Sequence, residues 1–60
     1  MQKPVEYIVR VYDGSEVLEY EYWNYEQANS HLEWELSKCN CASLFAYYWN
    51  GTTSREEFIK

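Results

Sequence analysis

Residues 5–12 alternate, with Val5, Tyr7, Val9 and Val11 on one side and Glu6, Ile8, Arg10 and Tyr12 on the other. That period of two predicts a strand with one apolar face. Asp13-Gly14-Ser15-Glu16 then breaks the pattern. It is turn chemistry, because Gly takes positive φ cheaply and Asp bonds its own backbone. Residues 17–23 alternate again, Leu18, Tyr20 and Tyr22 against Val17, Glu19, Glu21 and Trp23. A four-residue loop over 13–16 pairs Tyr12 with Val17, Val11 with Leu18, Val9 with Tyr20 and Tyr7 with Tyr22, and sets Arg10 opposite Glu19. A two-residue Asp-Gly loop would keep the faces but oppose Glu6 to Glu21, a like-charge pair, so the longer loop is expected.

Asn24 with Gln27 three residues on has the form of a capping box. At about 100° per residue, Tyr25, Ala28, Leu32, Leu36 and Cys39 share one stripe, which predicts a helix laid on the sheet. Glu26, Ser30, Glu33 and Ser37 point away from that stripe, and Trp34 lies well off it. The helix is expected to end near residues 38–40, where Lys38 suits the negative end of the dipole. Residues 42–49 are dense in strand formers, with Leu44, Ala46 and Tyr48 on one face and Phe45, Tyr47 and Trp49 on the other. Asn50-Gly51 is the strongest short hairpin signal in the chain. The returning segment 52–59 reads as a fourth strand, although Ser54 with Glu57 ahead of Phe58 and Ile59 also has the form of a helix start. The expected fold is α+β, one small domain over 1–60, a ββαββ antiparallel sheet with one helix packed on one face.

Size sharpens this picture. Sixty residues, 47% of them hydrophobic and 20% aromatic, have apolar surface to bury and are not expected to be disordered. A chain this short buries only about 60% of the surface its unfolded form exposes, so stability is marginal and no deep active-site cleft is expected. No apolar run is long enough to span a bilayer, and Met1-Gln2-Lys3-Pro4 opens no apolar signal sequence.

Charge is unevenly placed. Ten acidic residues oppose five basic ones, a net charge of −5. Between Val11 and Ser37 stand Asp13, Glu16, Glu19, Glu21, Glu26, Glu33 and Glu35 without one Lys or Arg. Such a surface attracts basic partners and repels nucleic acid, whose phosphates require clustered Lys and Arg. A solubilising coat on an aromatic-rich domain is the plainer explanation of the same charges.

Enzyme chemistry finds little footing. His31 is the only histidine and sits at the edge of the helical stripe, where a partly buried, hydrogen-bonded imidazole is expected. Cys39 and Cys41 form C-x-C with no second pair to complete a metal site. About 12 Å of helix separates His31 from Cys39. A disulfide two residues apart would be strained, so two free thiols and a cytoplasmic chain are expected, with Cys39 in the core. Glu19 and Glu21 share a strand face but have no pocket to split their pKa values. No phosphate loop exists, and neither metal nor cofactor is expected.

A single helix leaves the other sheet face bare, with Ile8, Tyr12, Val17 and Trp23 on it, plus either Tyr48 or the Phe45, Tyr47 and Trp49 set. Exposed Tyr and Trp on a small domain point to an interface. The leading expectation is a non-enzymatic protein-binding module that blocks a basic, nucleic-acid-binding site on a larger protein, carboxylates standing where phosphates would. By analogy of size and charge, its specific form is an inhibitor encoded by a phage or mobile element. Glu19, Glu21, Trp23, Glu26, Glu33 and Trp34 are its candidate contacts. The alternative is a homodimer joined through Ile8, Tyr12, Val17 and Trp23, which would steady so small a fold. Single-stranded nucleic acid stacked on Tyr and Trp is a third possibility, opposed by the charge.

Overall fold

The computed structural model describes residues 3–38 and 40–60. Two strands, β1 (Glu6–Asp13) and β2 (Glu16–Tyr22), precede the helix α1 (Tyr25–Ser37), and β3 (Cys41–Trp49) and β4 (Ser54–Phe58) follow it. All pairings are antiparallel, in the order β2-β1-β3-β4. This is the ββαββ arrangement that the alternation and the helical stripe predict, and the ambiguous segment after Gly51 is strand.

The first hairpin has the expected register, Arg10 opposite Glu19 and Tyr12 opposite Val17. Its ladder runs one pair further, to Asp13 and Glu16, so the turn itself is only Gly14-Ser15. Gly14 takes φ +62° there, the left-handed conformation that a tight hairpin turn asks of its first central residue. The second hairpin does not turn on Asn50-Gly51 alone. Its loop spans 50–53, and the Asn50 Oδ1 accepts from the backbone N–H groups of Thr52 and Thr53. Asn50 therefore acts as an Asx turn.

Asn24 caps the helix with extended backbone, and its side chain accepts from the Gln27 N–H at 2.8 Å. The helix lies over β1 and β3 and touches β2 little. Val9, Val11, Ala28, Leu32 and Leu44 form the core, with Tyr7, Tyr22 and Ala42 packed around them.

The buried helical line is Ala28, Leu32 and Glu35, which corrects the predicted stripe at two positions. Leu36 is half exposed, and Tyr25 is 37% exposed at the edge of the core, packed edge-on against Tyr7. Glu35 takes the inward place because its carboxylate finds partners in His31 and Asn40, which removes the penalty of burying it. Cys39, expected in the core, lies outside the described residues.

Candidate protein-binding surface

The sheet face away from the helix has Arg10 at its centre. The Arg10 guanidinium donates to Glu19 at 2.6 Å and to both carboxylate oxygens of Glu56, and stacks 4.4 Å from the Phe45 ring centroid. Glu19 is thus partly neutralised within the chain. The face keeps exposed Tyr12, Val17, Trp49 and Phe58, with Phe45 and Tyr47 half buried between them. Ile8, predicted as one residue of a self-association surface, is only 6% exposed. Its cross-strand neighbours Glu21 and Phe45 flank it, and this corrects the expected four-residue patch of Ile8, Tyr12, Val17 and Trp23.

Acidic and aromatic side chains gather where β2 leads into α1. Glu6, Glu21, Tyr22 and Trp23 line a recess of about 120 Å³. Trp23 is 80% exposed, the most exposed large apolar side chain described. Partial burial, then the charge of Glu21 and a hydrogen bond shared with it, raise the Glu6 carboxyl above its ordinary value of 4.5. The register that separates Glu6 from Glu21 as direct partners, opposing Glu21 to Ile8 instead, still leaves them diagonal neighbours, within reach of two long side chains. The like-charge contact that the longer loop was expected to avoid is therefore present. Next to it, Tyr22, Glu26, Gln27 and Ser30 line a shallow, open hollow.

On the helix side of the sheet a polar chain ties β2 to α1. The Tyr22 hydroxyl lies 2.6 Å from the His31 Nδ1, the His31 Nε2 lies 2.8 Å from Glu35, and the Asn40 amide donates to the other Glu35 oxygen at 2.7 Å. These bonds, Asn40 first and His31 second, hold the Glu35 carboxyl below its ordinary value. An ionised carboxylate only accepts, so in the neutral ring Nε2 carries the proton and Nδ1 accepts from Tyr22. Tyr20 packs edge-on against the imidazole with centroids 4.6 Å apart, and Trp34 leans on its other side at 6.1 Å. The Lys38 ammonium sits 3.9 Å from the Trp34 ring centroid. Sequence reasoning foresaw the hydrogen-bonded histidine but not Glu35 or Asn40. The i,i+4 spacing of His31 and Glu35 was the available signal.

The six predicted contacts do not form one patch. Glu21 and Trp23 line one recess beside Tyr22, and Glu26 lines a separate hollow that Tyr22 also borders. Glu19 belongs to the Arg10 cluster on the open sheet face. Glu33 and Trp34 are exposed on the helix, with Trp34 turned toward β2 through its contact with His31. Cys41 is a free, exposed thiol on β3 opposite Tyr12. Among the described residues no three His, Cys, Asp or Glu side chains are grouped to hold a metal ion, and no helix is long and apolar enough to cross a membrane. Comparison with known protein families, curated proteins and solved structures gives no match.

Proposed function

We propose that this chain is a small acidic, non-enzymatic protein-binding module that docks on a basic surface of a larger protein. In its specific form it is an inhibitor that occupies a nucleic-acid-binding site. The observation that carries this reading is the corner formed by Glu6, Glu21 and Trp23. Two carboxyls in mutual repulsion beside an almost bare indole are unfavourable in the isolated chain, and an incoming Lys or Arg relieves both, by ion pairing and by a cation–π contact. No ion pair among the described residues joins a cation of the chain to Glu6 or Glu21. Among the described residues Arg10 pairs with Glu19 and Glu56 and Arg55 with Glu57, while Glu16, Glu21, Glu26 and Glu33 have no cationic partner.

The test is affinity capture from a lysate of the organism that carries the gene, wild type beside a Glu21→Lys/Trp23→Ala variant. A nucleic-acid-binding protein retained only by wild type, and released from its nucleic acid when wild type is added, is the expected result. Capture of the same proteins by both chains refutes the reading.

A further inference from the structure

We propose that the outer edge of β2 accepts an extended segment of the partner polypeptide as a fifth strand, one in which basic and apolar residues alternate. The inference rests on the docking reading above and names the form of the partner. β2 ends the sheet, so among the described residues its outward N–H and C=O groups have no strand partner. It is seven residues long and free of Pro and Gly. The opposite edge, β4, is shorter and carries its own Arg55–Glu57 pair.

The two faces of β2 specify what would lie beside it. Because the helix covers β1 and β3, the helix-side residues Leu18 and Tyr20 remain 40% and 39% exposed. Trp34 continues that apolar shelf, held in place through its contact with His31 and the hydrogen bonds of His31 to Tyr22 and Glu35. The open-face residues of the same strand include Glu19 and Glu21. An added strand meets apolar groups with one set of alternate side chains and carboxylates with the other. Apolar residues next to Leu18 and Tyr20, and Lys or Arg next to Glu21, complete it, Glu19 being already paired with Arg10.

Charge also disfavours a second copy in the register of longest overlap. Two β2 strands in maximal antiparallel overlap set Glu19 against Glu19, and the next register toward Tyr22 sets Glu19 against Glu21. The register shifted the other way opposes no two glutamates but, like the one toward Tyr22, overlaps only five residues, in its case 16–20. Like charges directly opposed across a ladder destabilise it. Glu21, which has no cationic partner among the described residues, is the group on this edge that favours a cationic strand.

The experiment titrates the isotopically labelled full chain at low salt with two peptides of about eight residues each, one alternating Lys and Val and one with the same residues in two blocks. Backbone amide exchange is followed by NMR. The expected result is binding of the alternating peptide about tenfold tighter than the block peptide, with new protection at every second amide of β2 and weakened binding to Glu21→Lys. Equal binding of both peptides without protection in β2 overturns strand addition and leaves docking on a basic surface standing. No binding of either peptide overturns both. Protection of β2 in the free chain together with a dimeric mass overturns the inference in favour of self-pairing.

Discussion

Glu35 and Glu6 show one residue type shifted in opposite directions by its neighbours. Asn40 and His31 stabilise the Glu35 carboxylate, so its contribution to folding is complete above the ordinary value of 4.5 and is lost as pH falls through the lower folded value. Burial and Glu21 disfavour the charged Glu6, so there stability is lost as pH rises through the raised folded value. Thermal melts across the acid range test both. Glu35→Gln flattens the loss of stability on acidification, whereas Glu6→Gln melts above wild type at neutral pH and the gain shrinks below the ordinary carboxylate range. An unchanged acid slope in Glu35→Gln would show that the Tyr22–His31–Glu35–Asn40 chain does not hold in solution. This chain was hard to read from sequence because a scan for hydrophobic residues places Leu36 inward and treats Glu35 as surface. The choice between them turns on partners contributed by the segment after the helix, where Asn40 lies.

At the scale of elements, the strands, the Asn24 cap and the hairpin register followed from local pattern, because alternation and cap chemistry act over a few residues. The rotation of the helix about its axis did not. Leu32, 1% exposed against the sheet, is common to the expected stripe and the observed one. Leu32→Ala should therefore cost about 2–5 kcal/mol and leave little folded protein, since a domain this small has little stability to lose. Trp23→Ala, at a side chain in the bend before the helix, should leave the circular dichroism and melting temperature nearly unchanged and act on binding alone. A large loss of melting temperature in Trp23→Ala would place that indole in a structural role. The two variants together separate packing from recognition.

For the whole molecule, the expected solution state is a monomer. Ile8 is covered on the open face, and self-pairing of β2 in its longest register opposes carboxylates. Sedimentation over a range of protein concentration should return the mass of one chain, 7.3 kDa, and a dimeric mass that persists on dilution would move the assignment to the homodimer. The amino-acid order by itself determined the element sequence, the hairpin register, the helix start and the excess of negative charge, since each is encoded by neighbours along the chain. Only the tertiary structure decided three further things. Glu35 and not Leu36 turns inward, Glu6 meets Glu21 on the diagonal, and the six candidate contacts divide between the open sheet face, the β2–α1 corner and the helix. The physical reason is the same for all three. Periodicity states which residues share a face, but which faces meet is settled by how Ala28 and Leu32 seat against Val9 and Leu44, and by which buried polar groups find a hydrogen bond when they do.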